Sequence, residues 1–215
     1  METVRESTPA LAAERAPLPK AGTGHRLLLG GWFVLLALVS ASLLVRHLVA
    51  LPRPKDQELA LALSPFRPDG RTDDAGREQL GLVHVLYAEC RCSNLVAEHL
   101  CSKPRPAGVV EHVLLVGSDE PLAKKLDSHG FAVKRVTSED LASFGIESAP
   151  LFVVLSPTGD VRYAGGYTER KQGLLPRDRE IVSALREGRD ATPFPVFGCA
   201  VSDGLKRTLN PLRLP

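Results

Sequence analysis

The chain holds four cysteines, Cys90, Cys92, Cys101 and Cys199, and two of them share a short turn. Residues 83–87 form an apolar run with the composition of a buried strand. The run breaks at Ala88-Glu89, delivers Cys90 and Cys92, and passes into a helical pattern that starts at Ser93. A helix N-terminus carries partial positive charge and unpaired N–H groups, so a thiolate placed there is stabilised and its pKa falls. Arg91, between the two cysteines, adds to that field. The spacing therefore suits reactive sulfur: a nucleophile for disulfide exchange, or a soft ligand for a metal.

Extended backbone puts Cα atoms two residues apart at about 6.6–7.2 Å, at or beyond the upper limit of about 6.8 Å for a disulfide. A Cys90–Cys92 bond would thus need a bent turn. Far downstream, Gly198 precedes Cys199 and permits a tight turn that aims this cysteine back at the fold. Cys199 could resolve a mixed disulfide on Cys90 or Cys92, complete a metal site with them, or form a structural bridge to Cys101; spacing selects none of these pairings. Cys101 by itself reads as a small buried hydrophobe. Cu(I) is the metal that Cys90 and Cys92 would suit, with His84, His99 or Cys199 as a further ligand. However, His84 falls on the apolar run and reads first as a satisfied core histidine, and His99 on a helix face reads the same way. No second Cys-x-x-Cys or His-x-x-His cluster supports a closed zinc site.

The elements that must position these residues alternate. After the cysteine turn, Leu95, Val96, His99 and Leu100 share a helix face until Pro104 and Pro106 end it. Residues 109–116 read as a strand. Ser118-Asp119-Glu120-Pro121 opens a helix that Gly130 stops. Residues 131–136 read as a strand, and Thr137 with Asp140 resembles a capping box for a helix through Phe144. Then come Pro150, a strand over 151–155, a turn at 156–160, a partner strand over 161–163 and a helix over 176–188. Strand and helix in alternation predict an α/β fold. Gly165-Gly166 reads as a turn after the hairpin.

Upstream, residues 1–26 read as a flexible tail and 27–46 as a transmembrane helix, since 27–45 carry no charge and about 20 apolar residues span a hydrocarbon core. The rival for that span is a cleaved signal peptide with Val39-Ser40-Ala41 as its site. Basic residues flank both ends, so charge does not orient it. Residues 47–77, rich in proline, read as a linker with a short helix over 56–63. A folded domain comes next over 78–200, and 201–215 form a C-terminal tail. A net charge of +2 without a basic block excludes nucleic acid as a partner held by bulk charge. No P-loop, dinucleotide fingerprint or Ser-His-Asp signature is present.

Tyr87-Ala88-Glu89-Cys90-Arg91-Cys92, with Phe144 to Leu155 and Pro157-Thr158-Gly159-Asp160-Val161 some way downstream, resembles the thioredoxin superfamily, above all its membrane-anchored extracytoplasmic branch. The resemblance covers about half of the chain. It implies a central mixed sheet flanked by helices, a cis Ala149–Pro150 bond beside the reactive sulfur, and a substrate chain received on the backbone of Ala149. The motif departs from the family's Cys-x-x-Cys: Cys90 takes the nucleophile's place and Ser93 the place of the resolving cysteine, so Cys92 or Cys199 would resolve. The resemblance thus implies a single-pass cell-membrane protein whose domain faces the periplasm or another extracytoplasmic space. Such a protein would exchange disulfides with protein or small-thiol substrates, with a membrane electron donor as a candidate partner and no cofactor or resident metal. The alternatives are a copper metallochaperone of the same fold and a redox-inactive binding domain.

Overall fold

The computed structural model describes residues 23–70, 72, 76–171 and 175–210. Residues 1–22 of the expected tail and the last five residues of the chain lie outside them. Two units divide between Val45 and Arg46. The first contains most of the helix α1, Thr23–Leu48, whose last three residues belong to the second. Its stretch Gly24–Ala41 is apolar enough to cross a membrane and none of it is buried within the protein. At 1.5 Å per residue its 26 residues extend about 39 Å, more than the hydrocarbon core of about 30 Å.

The second unit is a mixed α/β domain. Its elements are α2 (Asp56–Ala62), a 3-10 turn at Ser64–Phe66, β1 (Leu80–Tyr87), α3 (Arg91–Ser102), β2 (Val109–Val116), α4 (Glu120–Ser128), β3 (Ala132–Val136), α5 (Ser138–Ser143), β4 (Ser148–Ala149), β5 (Leu151–Leu155), β6 (Val161–Gly165), α6 (Asp178–Arg186), β7 (Cys199–Ala200) and α7 (Asp203–Leu209). Five strands make one sheet in the order β3-β2-β1-β5-β6, with β1, β2 and β3 parallel and β5 and β6 antiparallel to their neighbours. The two-residue strands β4 and β7 pair separately.

Side chains alternate across the sheet with the strand's period of two. Leu82 and Leu86 of β1, Leu115 of β2 and Phe152 of β5 face Val96, Leu100, Leu126 and Ile181 of the helices on one side. Val83 and Val85, Leu114, and Leu151 and Val153 face the other side. There they meet Leu59 of α2, Leu63, Phe66, Leu141 of α5, Val196 and Val201. A central strand covered on both faces reads as a continuous apolar run, which is why 83–87 is so conspicuous in the sequence. The capping box at Thr137 forms, the hydroxyl accepting from the Asp140 amide at 3.1 Å while the Asp140 carboxylate accepts from the Thr137 amide at 2.8 Å.

Two segments differ from the sequence reading. Residues 47–77 read as a linker, yet Leu59 and Leu63 are fully buried there and Leu51 bridges to Val196. Alternating prolines mask an amphipathic turn when read without its partner surface. The stretch from residue 201, read as a tail, buries Val201 completely and continues into α7.

Candidate active site

β1 ends at Tyr87 in the middle of the sheet, and the chain turns through Ala88-Glu89 to place Cys90 at the N-cap of α3. Backbone bonds hold the turn: Cys90 N–H donates to the Tyr87 carbonyl at 2.9 Å, and Asn94 N–H donates to the Cys90 carbonyl at 3.0 Å. Ser93 stands where the resemblance expects a resolving cysteine. Its fully buried hydroxyl accepts from the Tyr87 amide at 3.0 Å, so it ties the end of β1 to the first turn of α3. The Asn94 side chain donates to the Ala88 carbonyl at 3.3 Å. Beside the turn the Tyr87 hydroxyl donates to Glu89 at 2.6 Å. That bond to a carboxylate, with partial burial, pushes the phenol up to about 12.

Cys90 is fully buried and disulfide-bonded to Cys199, with Cα atoms 6.0 Å apart. Of the pairings open in the sequence this is the one formed; Cys92 and Cys101 are free and half-buried. The structure therefore brings Cys90, Cys199, Ala149 and Pro150 together, while Cys92, on the first turn of α3, stays outside the bond. Ala149 pairs directly with Cys199 in the β4–β7 ladder, and its carbonyl oxygen lies 3.9 Å from the Cys90 sulfur. The Ala149–Pro150 bond is cis.

The segment that delivers Cys199 is built into the domain at several points. Gly166 bridges to Phe194, its N–H donating to the Phe194 carbonyl at 3.0 Å. A Cβ on Gly166 would overlap the Pro195 carbonyl. The glycine pair at 165–166, read from sequence as a turn, is thus required by the close passage of residues 194–196. Gly198, where the chain bends into β7, is needed for close packing as well: a Cβ there would overlap the Ala149 carbonyl oxygen and stand 2.6 Å from Pro150 Cδ. Past the bond, Val201 N–H donates to the Glu147 carbonyl at 2.7 Å. Ser202 caps α7, accepting from the Leu205 amide at 3.1 Å, and its hydroxyl donates to the Glu147 carboxylate at 3.3 Å. Glu147 carries no site signal in the sequence, because its partners Val201 and Ser202 lie far along the chain, and Ser93, marked there only as the place of a missing cysteine, acts instead through the backbone of Tyr87.

The histidines considered as ligands are occupied elsewhere. His84 is buried, 2.7 Å from the Tyr167 hydroxyl through Nδ1 and 3.5 Å from Glu111 through Nε2. Burial, with Asp178 and Glu111 nearby, drives the Tyr167 phenol well above its usual range, so it stays protonated. Arg105 completes the cluster, 2.6 Å from Glu111. His99 pairs with Asp178 at 2.9 Å. Among the described residues no group of three or more His, Cys, Asp or Glu side chains is arranged to hold a metal ion. Chemically, the site offers one disulfide at a helix N-terminus, backed by a strand edge.

The chain matches no described protein family and no curated protein. Among solved structures it is similar to a hypothetical protein from Sinorhizobium meliloti, with 19% identity, 56% of this chain and 77% of the other covered, and a TM-score of 0.43. It is also similar to an uncharacterised conserved protein from Geobacillus kaustophilus, with 16% identity, coverage of 70% and 92%, and a TM-score of 0.47.

Proposed function

We propose that this chain is a membrane-tethered thiol–disulfide exchange protein of thioredoxin-like fold, with Cys90 and Cys199 as its redox pair. The observation that carries the reading is the Cys90–Cys199 bond at the N-terminus of α3, against Ala149 and Pro150. The parallel β1–β2–β3 set with antiparallel β5 and β6 supports the fold assignment. The apolar helix α1 supports the tether, and the presence of a disulfide in the domain supports an oxidising, extracytoplasmic compartment.

In the reduced protein, the Cys90 thiolate attacks one sulfur of a substrate disulfide. A Cys90–substrate bond forms and the other substrate sulfur leaves as a thiolate. Cys199 then attacks the Cys90 sulfur, closing the Cys90–Cys199 bond and expelling the second substrate thiolate. Two electrons pass to the substrate, which takes up two protons, and a dithiol donor must reduce the protein again. Cys92, which the sequence allowed as resolving thiol, has no part in this cycle.

The test is alkylation and mass mapping of the four cysteines in the full chain, purified in detergent, across a glutathione redox series, with turnover of a disulfide substrate measured beside it. Reversible titration of Cys90 with Cys199, and loss of turnover in Cys90→Ser but not in Cys101→Ser, are expected. Turnover that survives Cys90→Ser sinks the mechanism.

A further inference from the structure

The two cysteines of the bond are not equally open. Cys90 is fully buried, whereas Cys199, on the short strand β7, is only half-buried. An incoming thiolate attacks one sulfur of a disulfide and expels the other, so access to the first and the stability of the second as a thiolate set the rate. Both point in one direction here. Cys199 is the cysteine within reach of solvent, and Cys90, at the N-cap of α3, is the one that leaves into the positive end of a helix. Next to Cys199 an open cleft of about 650 Å³ begins at Ala200 and runs along α7, with Lys206 and Arg207 in its wall against one acidic residue, Asp203. Its size falls among small-molecule sites, about 300–1,000 Å³. Asp203 approaches Lys206 only to 3.8 Å, with both side chains exposed, so a carboxylate in the cleft can compete for the ammonium. Lys206 also stands 5.5 Å from the ring of Tyr87, at the end of the strand that leads to Cys90. The cleft thus adjoins the chain on both sides of the bond.

We infer that the oxidised chain is reduced through Cys199 by a small dithiol carrying a carboxylate, which Lys206 and Arg207 hold in the cleft along α7. The inference rests on the proposed exchange activity and adds to it the donor's chemical class and point of entry. One thiolate of the donor attacks the Cys199 sulfur. A donor–Cys199 disulfide forms, the Cys90–Cys199 bond breaks, and Cys90 leaves as a thiolate. The donor's second thiolate then attacks the donor sulfur of that mixed disulfide, closing a cyclic disulfide and expelling the Cys199 thiolate. Two electrons pass from donor to chain, and the two protons lost by the donor thiols go to Cys90 and Cys199. Substrate and donor therefore meet different sulfurs, Cys90 in the reduced chain and Cys199 in the oxidised one.

The test uses the full-length oxidised chain in detergent. Mercaptopropionate, a monothiol with a carboxylate, cannot close a ring on itself, so its mixed disulfide with the chain is caught by acid quenching and located by peptide mass mapping, apart from any at Cys92 or Cys101. In parallel, the rate at which the Cys90–Cys199 bond opens is measured with dihydrolipoate and with dihydrolipoamide, which share one dithiol and differ in carrying a carboxylate or an amide. Both are applied to the wild type and to the double variant Lys206→Gln/Arg207→Gln. Neutral dithiothreitol reports whether the bond in the folded chain opens to thiols at all.

The mapped adduct should lie on Cys199, with Cys90 free. Dihydrolipoate should open the bond about two- to fivefold faster than the amide, the range of a solvent-exposed ion pair. That advantage should disappear in the double variant and shrink at high salt. An adduct on Cys90, or none on Cys199 while the bond opens, overturns entry through Cys199. Equal rates for the two lipoyl dithiols, or an advantage that survives the double substitution, overturn the cleft as the donor's site. Each of these results leaves exchange chemistry standing. A bond that none of the three dithiols opens in the folded chain overturns the exchange reading itself.

Discussion

The two ends of α3 each carry a cysteine, and the fold treats them in opposite ways. At the N-terminus, Cys90 is the cap residue, fully buried, and bonded across the domain to Cys199. Near the C-terminus, Cys101 is free and half-buried beside the core. Burial pushes the Cys101 thiol up, against a smaller opposing pull from Lys125 and Arg105. The helix dipole runs the same way, favouring a thiolate at the first end and disfavouring it at the last. One residue type thus becomes a cross-linked helix cap or a free packing unit according to helix end and neighbours. An inventory of cysteines would not have separated them.

The largest effects should come from breaking the first end. Cys90→Ser abolishes exchange, whereas Cys199→Ser permits the first attack and traps the mixed disulfide, detectable as a stable Cys90 adduct by mass. Either change also removes a cross-link between positions 109 residues apart. By chain entropy that cross-link is worth about 4–5 kcal/mol, to be read as a lower denaturant midpoint than that of the oxidised wild-type chain. The same loss on reducing the wild type would show that the bond, not the serine, is responsible. Cys101→Ser should leave exchange intact and cost about 1 kcal/mol or less.

Ser93→Ala sharpens the comparison with a smaller change. It leaves both sulfurs in place but orphans the Tyr87 amide at the end of β1. A loss of about 1–3 kcal/mol is expected, with slower exchange because the turn carrying Cys90 is less tightly held. A stability change with no change in exchange rate would make Ser93 a structural residue alone.

The smallest effect tests the second end. A thiol whose pKa is raised holds less thiolate at neutral pH, so iodoacetamide should label Cys101 more slowly than a free cysteine peptide at pH 7. The gap should narrow as the pH rises towards the elevated pKa. Labelling of native Cys101 at the peptide's rate across the whole range would remove the contrast between the two ends.

Local patterns were enough to reveal the alternating strands and helices, the Cys90 turn at a helix start, and the Thr137 capping box, because each depends on residues within a few positions of one another. Period-two alternation and cap chemistry are written into neighbouring side chains. The mixed sheet flanked by helices followed from that alternation and from the resemblance. Tertiary structure alone decided which cysteine meets Cys90, since that choice belongs to a chain closure over 109 residues rather than to spacing. It also decided that residues 47–77 contribute Leu59 and Leu63 to the core, whose burial depends on a sheet face formed by later strands. The glycines make the same point most sharply. Gly166 and Gly198 look like turn residues in the sequence, but in the fold they are the places where one backbone passes against another, and only the assembled chain supplies the atoms that forbid a side chain there.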